Sequence, residues 1–246
     1  MIVGDVALEA AVAAMLATVA ALPERTQTLP SVAFLAVRAP SAGAQARFDH
    51  QGDPAQAYAA IGWTTFGGTA RARERRALAL AGNLIEVRLF EQLREGEGAT
   101  YSPNGFSTSS ERFANWGLVG AAAELRPERT ELFFRLAREV IADLAARPVA
   151  ADEFERAISP VLSGLERRLK TNAHWQSALE GWSRDPEMIA LTRSLVSDYR
   201  TMTAEDVRAA VARHVTDEAP WSMLVLPRGD AAAVAAASGE AGIRSE

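Results

Sequence analysis

The chain has 246 residues, 48% of them hydrophobic and 23% charged, with a formal net charge of −5. A chain of this length and balance forms one or two globular domains without needing disulfides or a structural metal. The chain has no cysteine, which excludes disulfides, thiolate zinc sites, iron–sulfur clusters and a cysteine nucleophile. Its acidic balance argues against nucleic acid as a partner.

The first element predicted from the sequence is an apolar, alanine-rich helix over residues 6–22. No basic segment precedes it, and Asp5 and Glu9 lie at its start, which excludes a signal peptide and a membrane-spanning helix. Its larger apolar residues recur at helical spacing, so we expect an amphipathic helix capped by Asp5 and ended by Pro23. Residues 1–4 are typical of the end of a strand, which indicates a piece of a longer protein.

The rest of the chain alternates between strands and helices after one proline-rich stretch. Residues 24–54 have the composition of a linker, interrupted by a short strand at 32–37. Further strands are predicted at 56–65, 99–109, 113–125 and 221–226. Helices are predicted at 71–94, 127–145, 152–182 with a break or kink at Pro160, 186–199 and 203–214. This order predicts an α+β fold, in which an antiparallel-rich sheet has its helices packed on one face.

The helix at 71–94 is the longest uninterrupted one in this prediction. It carries two apolar stripes, the second of which contains Leu80, Leu84 and Val87, so we expect it to be covered on two sides. Its first turns hold a run of arginines, Arg71, Arg73, Arg75 and Arg76. A solvated helix start is favoured for this run over a surface that pairs with an acidic partner.

The three histidines, His50, His174 and His214, are far apart in the sequence. A zinc hydrolase site normally uses two or three histidines, so no metal or other cofactor is expected in this chain. His214 has Asp217 and Glu218 close behind it. A histidine near a helix C-terminus, where a cation suits the helix dipole, is favoured over a metal ligand.

One segment stands out, residues 88–102, which read R-L-F-E-Q-L-R-E-G-E-G-A-T-Y-S. It resembles the motif near the start of the last domain of the insulinase/pitrilysin family of zinc metallopeptidases, whose members include the mitochondrial processing peptidases. In that family a helix ends in Leu-Phe-x-x-Leu-Arg, and an acidic, glycine-bearing turn leads through Gly-x-x-Tyr into a strand. Residues 1–23, 49–58 and 198–227 are similar to the matching flanks of the family.

The resemblance implies a metallopeptidase-half-like fold, that is, the fold of one half of these enzymes. It also implies that the two halves have different functions. The family's zinc helix carries H-x-x-E-H, which this sequence does not contain, so the chain would be the noncatalytic C-terminal half of a zinc endopeptidase. The zinc would belong to an N-terminal half, in the same chain or in a partner subunit. The two halves would enclose an unfolded peptide, with no catalytic or metal-binding residue in this chain.

The same resemblance implies the domain organisation. Residues 1–23 would be the tail of a preceding homologous domain, 24–54 a linker, 55–228 the C-terminal peptidase-family domain and 229–246 a frayed tail. The sequence does not determine the cellular compartment. The periplasm is weakly favoured because bacterial relatives carry export signals ahead of this region.

Arg94 and Tyr101 fall on the family's substrate-binding arginine and tyrosine. A phenol, with an ordinary pKa of about 10, is neutral at pH 7 and can donate to a developing oxyanion. A guanidinium offers a planar fork of donors to a carbonyl or carboxylate. The alternatives are that Arg94 caps a helix and Tyr101 packs at a sheet edge. At the level of the whole chain, the alternatives are a scaffold relative that has lost proteolysis and an unrelated binding domain.

Overall fold

The structure is a computed structural model that describes residues 2–24, 37–95, 102–179, 187–215 and 219–228. The chain divides into two compact units. The first contains Met1–Val37 and Ile158–Thr201, and the second contains Arg38–Ala157 and Met202–Glu246. No helix in the described ranges is long and apolar enough to span a bilayer.

The second unit is built on a five-stranded sheet in the order β1-β5-β2-β4-β3. Its strands are β1 Gln45–His50, β2 Ala57–Thr65, β3 Ser102–Ser109, β4 Gly117–Leu125 and β5 Trp221–Pro227. All neighbours pair antiparallel except β1 and β5, which run parallel. The expectation of an antiparallel-rich sheet in an α+β fold is therefore confirmed.

The helices among the described residues are, in chain order, α1 Leu8–Thr18, α2 Ala72–Glu95, α3 Thr130–Ala146, α4 Ala151–Arg168, α5 Asn172–Leu179, α6 Glu187–Arg200 and α7 Ala204–His214. Helices α2, α3 and α7 pack together on one face of the sheet. The core lies between these layers, where side chains such as Ile61, Val119, Phe133 and Ile141 have no exposed surface. Tyr58, Thr64 and Glu124 are exposed near the ends of β2 and β4, whereas the five central residues of each strand are buried. Because side chains alternate along a strand, the middle of the sheet is buried on both faces.

Strand β1 was not predicted and lies inside the stretch assigned to a linker. Its sequence Q-A-R-F-D-H contains a single large apolar residue, Phe48, and five of its six residues are exposed. Its partner β5 is far away in sequence, so no local pattern indicates the pairing. The predicted strand at 32–37 falls almost wholly outside the described residues, and the predicted domain division stays a prediction.

Two local predictions are wrong, and a third is narrowed. Helix α1 begins at Leu8 after Ala7, with no side-chain cap, so Asp5 does not cap it. Residues 2–4 form no strand. Helix α4 runs from Ala151 to Arg168 with Pro160 inside it, so the helix is not broken there, and the alternative of a kink at Pro160 stays a prediction.

The predicted start of α7 is confirmed by a complete capping box. The hydroxyl of Thr203 accepts the backbone N–H of Asp206 at 3.1 Å, and the Asp206 carboxylate accepts the backbone N–H of Thr203 at 2.8 Å. Two donors at the helix start are therefore satisfied by the two ends of one motif.

Candidate functional site

The segment singled out by its sequence lies where α2 ends and β3 begins. Helix α2 packs along β3, and its buried side chains on that side include Leu78, Ile85, Leu89 and Leu93. The helix ends at Glu95 and the strand starts at Ser102. The two ends of the segment are therefore the adjoining ends of two packed elements.

Two glycines set the distance between this helix and this strand. A Cβ added to Gly105 of β3 would collide with the carbonyl oxygen of Gly82 and the backbone nitrogen of Glu86 in α2. A Cβ on Gly82 would lie 3.0 Å from the carbonyl carbon of Phe106 and the backbone nitrogen of Ser107. Backbone contacts backbone at this point, which any larger side chain would prevent.

A cluster of charged side chains fixes the second half of α2 from its other flank. Arg88 donates to both carboxylate oxygens of Glu153 on α4, at 2.6 and 2.9 Å, and to Asp143 on α3 at 2.8 Å. Asp143 also pairs with Arg147 at 2.5 Å. Only 19% of the Arg88 and Glu153 side chains is exposed. We call Arg88, Asp143 and Glu153 the three-helix clamp.

The clamp is a strong hydrogen-bonding arrangement. The bonds to Glu153 raise the pKa of Arg88 above its ordinary value, and partial burial opposes that rise. A bidentate guanidinium–carboxylate pair has a defined geometry, because two parallel bonds hold the two planar groups in line. The clamp therefore fixes where α2 lies relative to α3 and the first turns of α4.

The outer side of α2 carries an exposed apolar strip. Val87 is 47% exposed and Phe90 is 48% exposed. Leu80 and Leu84 are buried, as the predicted second stripe requires, but Val87 is not. The prediction that this stripe is covered throughout is therefore wrong at Val87.

The two residues predicted to bind substrate are placed only in part. Arg94 is the second-last residue of α2, and its side chain lies outside the described part of the structure. Tyr101 lies outside it entirely and immediately precedes the first residue of β3. Position 94 follows Val87 by seven residues and Phe90 by four, a spacing that puts backbone positions on one side of a helix. The roles of Arg94 and Tyr101 stay predictions.

A polar cleft of about 390 Å³ lies between α2 and α3, on the flank of α2 that carries the clamp. Its lining consists of Arg88, Glu91, Gln92, Glu139, Val140, Asp143 and Arg147. Both arginines pair with Asp143, so the cleft is part of the clamp.

The arginines at the start of α2 make more contacts than the predicted solvated helix start would have. Arg73 donates to Asp206 at 2.9 Å and so ties α2 to the capping box of α7. Burial lowers the pKa of Arg75, against the opposing charge of Glu111. The guanidinium of Arg71 lies 4.7 Å from the ring centre of Phe66. The run therefore makes specific intramolecular contacts and is more than a solvated helix start.

The histidines take part in local structure. Nδ1 of His50 accepts the backbone N–H of Gly52, and its Nε2 lies 2.9 Å from the carbonyl oxygen of Gln56. His214, the last residue of α7, lies 3.1 Å from Glu74 and packs against Phe66. Within the described ranges, no three His, Asp or Glu side chains form a group that could hold a metal ion. These residues do not fit a zinc site.

The sequence comparison decides the family. The family described as "Peptidase M16 inactive domain" matches residues 1–161 of the chain. The chain belongs to this family. The resemblance carried by residues 88–102 is thereby confirmed.

The chain is also similar to a curated zinc protease. An uncharacterized zinc protease of Streptomyces coelicolor is 29% identical over 174 residues, which cover 66% of this chain and 36% of the relative. The chain therefore spans little more than a third of the length of the curated relative that it matches.

Solved structures show the same fold. The chain is similar to the periplasmic protease PqqL of Escherichia coli, with a TM-score of 0.68 and 17% identity over 92% of this chain and 25% of that one. It is similar to an M16 inactive domain of Pseudomonas fluorescens, with a TM-score of 0.68 and 18% identity over 91% and 52%. A protease of Helicobacter pylori gives a TM-score of 0.72 and 14% identity over 92% and 54%.

Two features of the site in this M16 inactive domain escaped the sequence analysis. The clamp joins Arg88 to Asp143 and Glu153, which are 55 and 65 residues away, so no local spacing indicates it. The exposure of Val87 and Phe90 depends on where α3 and α7 lie. The Gly82–Gly105 contact had a faint signal, since a glycine inside a helical pattern often marks a close backbone approach.

Proposed function

We propose that this M16 inactive domain is the noncatalytic, substrate-binding half of a zinc endopeptidase. It would act with a zinc-bearing half and help to enclose an unfolded peptide. One observation carries the proposal: the family motif of residues 88–102 spans the end of α2 and the start of β3, two elements held together by the Gly82–Gly105 contact. A rigid helix end beside a strand start is a suitable support for residues that must meet a substrate at fixed positions.

In this proposal Arg94 and Tyr101 contact the peptide near the bond that is cleaved. Arg94 would donate to a substrate carbonyl or carboxylate through its planar guanidinium. Tyr101 would donate a hydrogen bond to the carbonyl oxygen as negative charge develops on it. Both hydrogen bonds require donors that are held at fixed positions. Buried leucines and the three-helix clamp anchor this segment and so support both roles.

The proposal extends to residues 1–23. Helix α1 has no buried residue, and its large apolar side chains, Leu8, Val12, Met15 and Leu16, are all exposed. An apolar surface of this kind normally marks an interaction site. We assign it to the contact with the zinc-bearing half, in accord with the resemblance of this segment to the end of a preceding domain.

Mixing the purified halves tests the function. The chain alone should not cleave an unstructured fluorogenic peptide, and adding it to a matching zinc-bearing half should raise cleavage above the level of that half alone. Chelator-sensitive cleavage by the chain alone would contradict the noncatalytic assignment. A stable complex of both halves that cleaves no peptide would instead favour the scaffold alternative.

A further inference from the structure

The last two turns of α2 carry position 94 and have one buried and one exposed side. Leu89 and Leu93 are buried, whereas Phe90 is exposed. The close backbone contact with β3 lies earlier in the helix, at Gly82. Burial of apolar surface has no preferred direction, so the two leucines hold this end of the helix in the core but do not by themselves fix its rotation or its position along its axis.

The three-helix clamp supplies the missing direction. Arg88 donates two bonds to Glu153 and one to Asp143, at 2.6 to 2.9 Å. Bidentate bonds hold the guanidinium and the carboxylate in one plane, so the clamp fixes both the rotation and the axial position of α2 at residue 88. Position 94 follows six residues later, about 9 Å along the helix axis. A shift of the helix at Arg88 therefore reaches position 94 directly.

Position 101 has a different support. Tyr101 immediately precedes β3, whose eight residues pair with β4 from the first to the last. The first pair joins Ser102 to Glu124, so the sheet holds the chain up to the residue that follows Tyr101. The clamp contacts α2, α3 and α4 and does not include β3. The two residues proposed to bind substrate are therefore held by separate parts of the fold.

We infer that Arg88 and Glu153 are positioning residues for Arg94, because the clamp sets where the end of α2 meets the peptide. The inference rests on the proposed function and specifies which contacts its substrate binding depends on. Arg94 is proposed to bind the substrate before the reaction as well as during it, so a displaced Arg94 should raise KM. Tyr101 is proposed to act on kcat, and its support is intact when the clamp is broken. Clamp variants should therefore separate the two constants.

Positioning depends on the geometry of the clamp, and this separates it from a purely stabilising role. Lysine keeps the charge of Arg88 but is a single point of donors, without the planar fork that pairs with both carboxylate oxygens. Glutamine in place of Glu153 keeps the shape but offers one acceptor oxygen where the carboxylate offers two. Both conservative changes therefore remove the bidentate pair from opposite ends and preserve most of the packing.

Kinetics of the enzyme reconstituted with its zinc-bearing half test the inference. For an unstructured fluorogenic peptide, Arg88→Lys should raise KM about fivefold, the size of one lost hydrogen bond, and change kcat less than about twofold. Glu153→Gln, on another helix, should reproduce this result. Arg156→Lys is the matched control, since Arg156 pairs with Asp152 on α4 in a pair that is about 70% exposed, and it should leave both constants unchanged.

A double-mutant cycle shows whether the clamp acts through Arg94. Arg94→Ala should raise KM by itself. Adding Arg88→Lys to Arg94→Ala should then raise KM less than about twofold further, because the contact that the clamp positions is already lost. A clamp that only stabilises the fold would change KM by the same factor with and without Arg94→Ala. Thermal melts of every variant show that the reconstituted enzyme is folded under the assay conditions.

The possible failures are distinct. If Arg94→Ala raises KM but neither Arg88→Lys nor Glu153→Gln does, the positioning inference is wrong and the proposed function stands. The same holds if the clamp variants lower kcat at unchanged KM, or if their effect on KM is undiminished in the Arg94→Ala background. If Arg94→Ala leaves KM unchanged, the substrate role of Arg94 is wrong, and the inference is wrong with it.

Discussion

Tyr101 is the residue on which the proposed chemistry depends most. Its phenol is proposed to donate to charge that develops only in the transition state, and a donor of this kind acts mainly on kcat. Tyr101→Phe in the reconstituted enzyme should lower kcat by about 100-fold or somewhat less, with a smaller change in KM. Steady-state kinetics on an unstructured peptide measure both.

A matched substitution separates this role from general damage. Tyr58, on β2, is 36% exposed, and Tyr58→Phe should leave both constants unchanged. Both variants should melt within a few degrees of the parent. Parental kinetics for a stable Tyr101→Phe variant would mean that Tyr101 only packs at the edge of the sheet.

Arg88 illustrates how strongly burial changes the contribution of an ion pair to the free energy of unfolding. Arg88→Met removes three charge-assisted bonds and leaves the largely buried carboxylate of Glu153 without its partner, whereas Asp143 keeps its pair with Arg147. The loss should cost about 2–3 kcal/mol of unfolding free energy. Arg135→Met is the control, because Arg135 and Glu139 form a pair on α3 in which both side chains are more than half exposed. Removing it should cost less than about 0.5 kcal/mol. Equal losses in urea unfolding would show that the clamp contributes no more than a surface pair.

His214 should make the stability of the chain depend on pH. Burial lowers its pKa below the ordinary 6.5, although Glu74 opposes the shift and Arg213 and Arg71 support it. Since the unfolded chain then takes up the proton more readily than the folded one, stability should fall as the pH drops below about 6.5. The difference in unfolding free energy between the parent and His214→Gln, measured from pH 8 down to pH 5, should narrow towards low pH. A difference that is constant with pH would contradict the shift.

The close approach of α2 to β3 is the element-level feature that supports the site. Gly105→Ala would place a methyl group against the backbone of α2, which has no flexible side chain to move aside. We expect a loss of about 3 kcal/mol in the free energy of unfolding, and weaker peptide binding because α2 must shift.

Gly164→Ala is the control, since its nearest neighbour is the flexible end of Arg167 at 3.9 Å. In an open helix position that change should stabilise the chain by about 0.5–1 kcal/mol. A harmless Gly105→Ala would show that the contact is loose.

The elements that could be predicted from the sequence are those with a local sequence pattern. Helix α2 and strands β2 and β4 were predicted within a few residues because apolar periodicity and flanking glycines are local signals. Strand β1 has no such pattern, and its place depends on β5 at the other end of the chain. Arg94 and Tyr101 were found by resemblance to a family motif, whereas the clamp depends on side chains that meet only after folding.

At the scale of the whole molecule, α1 is the part of the chain that most needs a partner. Because none of its residues is buried, Leu8→Gln with Leu16→Gln should leave the unfolding free energy of the isolated chain unchanged. Binding to the zinc-bearing half would lose two buried leucines, so its affinity should fall by about 100-fold or more. Ala17→Gln, on the opposite side of the helix by its spacing from Leu8, should change affinity little. Titration of labelled halves, followed by the recovery of cleavage, measures both effects. Unchanged affinity for the double variant would show that α1 does not contact the zinc-bearing half. The peptide contacts proposed at Arg94 and Tyr101 would then need a different arrangement of the two halves.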